Sequence, residues 1–265
     1  MKTFKYKLLK TGKVVGVWYS GNKKSDMIIV YGKGAPTVPD NGDQKEAFVF
    51  LSYGFDVFVP DYIGFGRSDG VFTPKNCIKT FLCLYDAFKK GCVAKNAYEN
   101  SKIYLKYKRI IFAGKSLAGA YIPLLPRFNK EIKELAIFCP VVDQAAQGKI
   151  AGEETNQDFL RSMKKDGYYH LYRGVLSSVW KKHLENKDGL SPMNNIKYLS
   201  KAKLFIAHGK KDKCIDYSKS IIYYKKIIQT FPKNKSQFKV KIYPNGGHDE
   251  KTTIPAVRDF INWIT

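Results

Sequence analysis

The segment RIIFAGKSLAG, residues 109–119, carries the strongest structural signal in the sequence. Its first five residues are mostly apolar and predict a strand buried in a sheet, whereas residues 117–125 predict a helix. Ser116 lies between them at a sharp strand-to-helix turn, where the small neighbours Gly114 and Ala118 leave room for the bend. Such a turn strains the serine backbone and directs its side chain out over the edge of the sheet. Ser116 is therefore the candidate nucleophile.

Apolar runs and helical periodicities alternate on both sides of this segment. A β-hairpin is predicted at the start, with strands at 4–9 and 14–19 around Gly12. The elements that follow are strands at 27–31, 55–59, 109–113, 135–139, 204–207 and 238–243, and helices at 47–53, 78–94, 117–125, 218–228 and 254–263. Strands joined by helices require right-handed crossovers. The sequence therefore predicts an α/β fold with a mostly parallel, doubly wound sheet and helices on both faces.

Residues 141–193 interrupt this alternation and contain no strand pattern. An insertion of this length is typical of a cap or lid over a site. We therefore predict a core of residues 1–140 and 194–265 and a helical cap of residues 141–193. The cap is expected to contact substrate through the aromatic side chains Tyr168, Tyr172 and Trp180. The alternative is that the insertion is a pair of packing helices without a lid function.

Two further candidate residues follow the predicted strands near the end of the sequence. A serine needs a base to take its proton, and the base needs a third group to hold it in one tautomer. His248 lies on a glycine-rich loop after the last strand and is the candidate base. Asp212, which ends the pattern H-G-x-x-D, is the candidate acid on the family resemblance given below, with Asp216 and Asp143 as its rivals. All three candidates fall at the carboxyl ends of strands, where open α/β sheets place their sites.

The segment around Ser116 resembles the nucleophile elbow G-x-S-x-G of the α/β-hydrolase superfamily. It departs from that pattern at one position, where Ala118 replaces the second glycine. The chain order Ser, Asp, His is also that of the family. Two other segments resemble family motifs: YGKGAP at 31–36 is similar to the H-G-x segment, and DYIGFGRSDG at 61–70 to the D-x-x-G-x-G-x-S segment.

The resemblance implies both a fold and a reaction. The fold is the α/β-hydrolase fold, with an N-terminal hairpin and a small helical cap. The reaction is acyl transfer to water, in which Ser116 attacks a carbonyl group and the backbone N–H groups of Lys33 and Leu117 bind the oxyanion. Gly34 is the alternative to Lys33 as the first of these donors.

The substrate implied is a small-molecule ester or other acyl compound, which makes the protein a candidate serine esterase. A serine peptidase similar to the prolyl-oligopeptidase or aminopeptidase branches is the alternative, because the core looks similar in both. A non-catalytic or polyanion-binding protein on a hydrolase scaffold is the hypothesis from another class. No metal or cofactor is expected, because His and Cys form no cluster at ligand spacing. His208, within the H-G-x-x-D pattern, is expected to be structural.

Composition limits the remaining classes. The 265 residues carry a formal net charge of +23. Most of this excess is lysine scattered along the chain, whereas base readout favours clustered arginines, so no specific nucleic-acid partner is expected. The five cysteines show no disulfide spacing, and residues 1–10 contain no unbroken apolar stretch. We therefore expect a cytoplasmic protein without a membrane span. The sequence does not indicate an oligomeric state.

Overall fold

The computed structural model describes residues 5–22, 25–165 and 168–265 and contains one ten-stranded sheet. The strands are β1 (Lys5–Thr11), β2 (Val14–Ser20), β3 (Met27–Gly32), β4 (Asp56–Pro60), β5 (Cys92–Asn96), β6 (Lys102–Leu105), β7 (Arg109–Lys115), β8 (Glu134–Phe138), β9 (Lys203–Gly209) and β10 (Phe238–Tyr243). Their order across the sheet is β10-β9-β8-β7-β3-β4-β2-β1-β5-β6, so β10 and β6 form its two edges.

The six strands from β10 to β4 in this order run parallel to one another. β2 joins them antiparallel to β4, and β1, β5 and β6 continue antiparallel to the edge. This mostly parallel, doubly wound sheet confirms the predicted fold class, and β1 with β2 confirms the N-terminal hairpin. Phe4, the first residue of that predicted hairpin, lies outside the described residues.

Helices cover both faces of the sheet. They are α1 (Lys45–Ser52), α2 (Pro74–Lys90), α3 (Leu125–Phe128), α4 (Asn156–Lys164), α5 (Ser177–Leu184), α6 (Ser218–Thr230) and α7 (Glu250–Ile264). On one face, α1 and α7 pack through residues such as Phe50 and Phe260. On the other face, α2 and α6 pack in a second cluster through residues such as Phe81 and Tyr223. The parallel strands other than β10 are thus covered on both sides, which explains their nearly continuous apolar sequences.

Two predicted helices differ from the observed elements. The predicted helix at 78–94 ends at Lys90, because Gly91 adopts a φ of +93°. The chain then forms the β5–β6 hairpin, whose first strand was predicted as the end of that helix. The predicted helix at 117–125 is instead two 3-10 turns followed by α3. Pro123 and Pro126 have no N–H to donate, so a continuous α-helix cannot form there.

The cap segment, residues 141–193, contributes α4 and α5 and packs into the main core. The Trp180 ring stacks on Phe72 with ring centroids 5.1 Å apart, and Tyr172 packs on Phe65 at 4.7 Å. The described part of the cap adds no strand to the sheet, as expected. Its division from the core as a separate domain stays a prediction. Within the described ranges, no helix combines the length and apolar character needed to cross a bilayer.

A buried ion pair attaches the cap segment to α6. Lys219 Nζ lies 2.7 Å from Glu153 Oε2, and the two side chains are 7% and 3% exposed. The Glu153 carboxylate also accepts hydrogen bonds from the backbone N–H groups of Gly148, Ile150 and Asp216. Buried charges are stable only when they are paired and hydrogen-bonded in this way.

We expect Glu153→Gln to lower the free energy of unfolding by about 3–5 kcal/mol, because it leaves the Lys219 ammonium buried without a countercharge. Urea denaturation measures this change. Glu185→Gln is the matched control, since its partner Lys187 is 69% exposed and Glu185 is 37% exposed. A pair in solvent contributes at most about 1 kcal/mol. Equal effects of the two substitutions would contradict the assignment of Glu153 to a buried pair.

Candidate active site

The turn after β7 places Ser116 in the left-handed backbone region, with φ at +56°. A residue other than glycine adopts this conformation only where the surroundings impose it, and such residues cluster at functional sites. The carbonyl oxygen of Ser116 accepts a hydrogen bond from the Val141 N–H at 3.3 Å. Ser116 therefore has the strained backbone that the sequence predicts for a nucleophile.

Glycines on the neighbouring strands make room for this turn. A Cβ atom on Gly32 would lie 2.8 Å from the Ala118 Cβ, and one on Gly114 would lie 2.6 Å from it. The methyl group of Ala118 thus fills space that these two glycines leave open. Ala118 therefore fits at the position where the family pattern has its second glycine. The next residue, Gly119, lies close to a neighbouring segment of the chain. A Cβ on Gly119 would lie 2.3 Å from the Pro140 Cβ.

The other two predicted residues lie together on neighbouring loops. His248 Nδ1 donates a hydrogen bond to Asp212 Oδ2 at 2.7 Å. Asp212 follows β9 and His248 follows β10, and these strands are adjacent and parallel. With Nδ1–H held by the carboxylate, the neutral ring presents Nε2 as a proton acceptor.

The Asp212 carboxylate has no exposed surface and is fully hydrogen-bonded. Its Oδ1 accepts the N–H groups of Cys214 and Ile215 at 2.8 and 3.0 Å. Its Oδ2 also accepts from His208 Nε2 at 3.1 Å. Burial opposes ionisation, but the hydrogen bonds from His208 and His248 outweigh it and hold the pKa of Asp212 well below its ordinary value.

His208 is thus a second histidine on the same carboxylate, and it has no exposed side-chain surface. Its Nδ1 lies 2.7 Å from Ser220 Oγ, which fixes the ring from the other side. The sequence places His208 at a strand end and predicts a structural role, but it does not show the contact with Asp212. His208 supports Asp212 from behind, whereas His248 faces the solvent side of the site with 19% exposure.

Ser116 and His248 line one open cavity of about 680 Å³, the main cavity. Lys115 connects the two loops, because its Nζ donates a hydrogen bond to the carbonyl oxygen of His248 at 2.6 Å. Glu154 also lines this cavity, and no hydrogen bond from a described residue reaches its carboxylate. Lys115 and Glu154 were not predicted as site residues from the sequence, because a single charged residue does not form a recognisable motif. The fold therefore brings Ser116, Asp212 and His248 to one place.

The loop after β3 lies directly against the nucleophile. A Cβ on Gly34 would lie 2.9 Å from the Ser116 Cβ, so this residue must be a glycine for the loop to approach so closely. Lys33 precedes it, and its carbonyl oxygen accepts a hydrogen bond from the Tyr62 hydroxyl at 2.8 Å. Leu117 follows Ser116 as the second residue of the 3-10 turn, Ser116–Ala120. The oxyanion role of the Lys33 and Leu117 amides stays a prediction.

The structure does not bring the three predicted aromatic residues of the cap to this cavity. Trp180 has no exposed surface, and its Nε1 donates to the Phe72 carbonyl oxygen at 3.2 Å. Tyr172 is 3% exposed, and its hydroxyl accepts the Thr37 N–H at 2.7 Å. Tyr168 packs against Tyr172. Their side chains face the core because the cap has to bury its aromatic surface, so the predicted substrate contacts of these residues need correction.

A cluster that could hold a metal lies at the same site, formed by Cys139, Asp212 and His248, whose ligand atoms lie within 4.8 Å of one another. The donors do not fit that use. Burial, and then the charge of Asp212, raises the pKa of Cys139 far above its ordinary value, so the thiolate that a metal needs is disfavoured. The Cys139 Sγ instead lies 3.6 Å from the Gly247 carbonyl oxygen. Nδ1 of His248 is already committed to Asp212.

Solved structures of other proteins have a similar overall fold. Three solved structures superpose on nearly the whole chain. They are an esterase of Pyrococcus furiosus (TM-score 0.62, 14% identity, 98% of this chain and 90% of that chain), an acylaminoacyl peptidase of Pyrococcus horikoshii (0.62, 13%, 99% and 41%) and a puromycin-hydrolysing peptidase of Mycobacterium tuberculosis (0.62, 13%, 98% and 38%). The protein has the α/β-hydrolase fold.

A family model agrees with this fold over part of the chain. Residues 155–265 of the chain match the model of the prolyl oligopeptidase family. The matched part contains Asp212 and His248 but not Ser116. No curated protein matches the sequence. The solved structures and the family model therefore include both esterases and peptidases, and what they share with this chain is the fold.

The protein also has a second, smaller cavity beside Ser116, with a volume of about 40 Å³. We refer to it as the small cavity. Its walls come from the nucleophile turn and from the cap segment, including Leu117, Gln144, Phe159, His183, Leu184 and Ile215. Ser116 and Glu154 line both cavities. Sequence reasoning missed these wall residues, because they come from several separate segments of the chain.

The depressed pKa of Asp212 predicts a specific pH dependence of stability. A carboxylate with a folded-state pKa below its ordinary value of 3.8 stabilises the folded protein above that pH and loses this contribution as the pH falls. We expect Asp212→Asn to lower the free energy of unfolding most near neutral pH. The difference in the free energy of unfolding between Asp212→Asn and the wild type should be about 1 kcal/mol smaller at about pH 3 than near neutral pH. Urea denaturation at several pH values measures it, and a difference that stays constant would contradict the depressed pKa.

Proposed function

We propose that this protein is a serine hydrolase that cleaves carboxylic esters through an acyl-enzyme intermediate on Ser116. One observation carries the proposal. The strained Ser116 faces the cavity that His248 also lines, and the Nδ1 of His248 is held by the buried carboxylate of Asp212. A nucleophile, a base and an orienting acid on three separate loops are what acyl transfer needs.

The proposed reaction uses these groups in the following steps. Ser116 Oγ attacks the ester carbonyl carbon while His248 Nε2 takes the hydroxyl proton, and the charge of Asp212 stabilises the imidazolium. The tetrahedral oxyanion is bound by the amides of Lys33 and Leu117. His248 then returns the proton to the leaving alcohol, and the acyl-enzyme remains on Ser116. A water molecule, activated by the same imidazole, hydrolyses this ester and restores the serine.

The two cavities suggest how an ester would be divided between them. The small cavity has room for a short acyl chain, and the main cavity is open to solvent on the leaving-group side. Small, enclosed and mostly apolar pockets with a few polar groups are typical of acyl sites. A small-molecule ester with a short acyl group is therefore the substrate class that we propose.

A serine peptidase is the second candidate. The match of residues 155–265 to the prolyl oligopeptidase family favours it. The carboxylate of Glu154 supports it as well, because it lines the main cavity beside Ser116 and could pair with the ammonium group of an aminoacyl substrate. The same triad chemistry serves both, with an amine in place of an alcohol as the leaving group.

We expect Ser116→Ala to abolish hydrolysis of nitrophenyl butanoate, with a loss of at least about 10³-fold in kcat, because the nucleophile is removed. Circular dichroism should show an unchanged fold. A fluorophosphonate probe should label the wild type and the control Ser52→Ala, which changes a serine on α1, but not Ser116→Ala. Absence of labelling in the wild type would favour a non-catalytic or polyanion-binding protein.

Parallel assays on the wild type separate the two candidates. We expect nitrophenyl esters of short acids to be hydrolysed with a higher kcat/KM than aminoacyl nitroanilides, because the small cavity takes a short chain. Ser116→Ala is the blank for both substrates. If the anilides are the better substrates and Glu154→Gln weakens only their turnover, the protein is a peptidase and the ester proposal is wrong.

A further inference from the structure

One residue that lines the small cavity, Gln144, has a buried polar atom without a hydrogen-bond partner among the described residues. Gln144 is 1% exposed and lines this cavity beside Ser116. Its side-chain oxygen Oε1 accepts no hydrogen bond from the described residues. Leaving a buried acceptor unpaired is costly, so such a group in a native fold requires an explanation.

A chain of buried contacts fixes the amide of Gln144. His183 Nδ1 donates to Asp188 Oδ2 at 2.8 Å. The neutral ring then presents Nε2 as an acceptor, and the Gln144 amide nitrogen lies 3.3 Å from it. The NH₂ group of Gln144 therefore faces His183, and its carbonyl oxygen is left as the free end.

The surroundings hold this arrangement in place. His183 has no exposed side-chain surface, and its ring stacks on Tyr121 with centroids 5.7 Å apart. The backbone carbonyl oxygen of Gln144 accepts a hydrogen bond from the Asn156 side chain at 2.8 Å. The acceptor is thus preorganised rather than free to find another partner.

The neighbouring glutamine shows that the cavity does not leave such groups unpaired in general. Gln147 lines the same cavity, and its Nε2 donates to the carbonyl oxygens of Glu154 and Cys214 at 2.9 and 2.7 Å. Its Oε1 lies 3.3 Å from Lys219 Nζ. Both ends of Gln147 are satisfied within the protein, whereas the Oε1 of Gln144, a residue that lines the same cavity, has no partner among the described residues.

The size of the small cavity limits what can reach Gln144. A water molecule needs about 10–15 Å³ of such volume, so about 40 Å³ holds about three groups of that size. An acyl chain of about four carbons on Ser116 fits this space. A substituent two or three bonds from its carbonyl carbon would lie in the cavity with the Gln144 oxygen.

We infer that Gln144 is a specificity-determining residue that accepts a hydrogen bond from a hydroxyl or amino group on a short acyl chain. The inference rests on the proposed function, since the acyl chain is held by Ser116. A site built to pair with a donor rejects an analogue without it, because the acceptor is then left buried and unsatisfied. An unsubstituted chain of the same length is therefore the poorer substrate.

The test compares methyl esters of butanoic acid and of its 2-hydroxy, 3-hydroxy, 3-amino and 3-oxo derivatives. A pH-stat measures kcat/KM for each, divided by the rate of its hydrolysis by hydroxide to remove intrinsic reactivity. We expect at least one hydroxy or amino ester to exceed the butanoate by about tenfold or more. The hydroxy and amino esters distinguish the two donors. A preference for the 3-oxo ester, which only accepts, would overturn the inference.

Two variants assign the preference to Gln144. Gln144→Met should reduce the ratio of the preferred ester to the butanoate to about one, because it removes the acceptor at similar volume. Leu184→Met is the matched control, since it changes an apolar wall residue of the same cavity and should keep the ratio. Thermal unfolding shows whether each variant is folded.

The wild-type series decides the matter even if Gln144→Met does not fold. Hydrolysis of the butanoate by Ser116 with no preference for any substituted ester would refute the role of Gln144 and leave the proposed function intact. A ratio that survives Gln144→Met refutes it as well. If the wild type hydrolyses none of these esters, the proposed esterase and the inference both fail.

Discussion

The left-handed backbone at Ser116 is the constraint on which the site depends. This conformation requires that Gly32 and Gly114 have no side chain beside Ala118, and that Gly34 has none beside the serine. These glycines lie on β3, on β7 and on the loop after β3, which are paired in register through Tyr31–Ala113 and Gly32–Gly114. The sheet register and the turn therefore specify each other, and the oxygen of Ser116 is presented at the sheet edge as a result.

The second requirement is electrostatic and is met by Asp212. A carboxylate without exposed surface remains ionised only if its lone pairs are used, and here two histidines and two backbone N–H groups use them. His208 contributes to this from inside the core, where Ser220 holds its other nitrogen. The imidazole of His248 is then oriented by an acid whose pKa is held well below its ordinary value.

Much of this arrangement follows from local sequence patterns. Apolar runs identified β3, β4 and β7 to β10, and glycines beside a serine and a histidine identified the loops that carry Ser116 and His248. Patterns of this kind are informative because a buried parallel strand and a tight turn each restrict their own residues. The β5–β6 hairpin was missed because Cys92 and the next two residues continue the apolar spacing of α2.

Other features depend on contacts between distant segments. Trp180 belongs to an apolar helix face, and only the packing shows that this face points to Phe72 rather than to the cavity. Gln144 and His183 are 39 positions apart and have no pattern in common. Ala118 replaces a glycine, and its fit depends in part on Gly32 of β3, which lies outside the motif. Sequence therefore located the catalytic candidates but not the residues that line the small cavity.

The two edge strands of the sheet, β10 and β6, carry exposed lysines. β10 exposes Lys239 and Lys241 along one rim, and the four-residue β6 begins with the exposed Lys102 at the other. An unpaired strand is a template for another chain, and short length and positive charge are the usual deterrents. Without such features, the unpaired edge strands of a ten-stranded sheet would favour edge-to-edge association of copies into fibres. Exposed lysines at these edges, such as Lys102 and Lys239, therefore disfavour the pairing of one sheet edge with that of another copy.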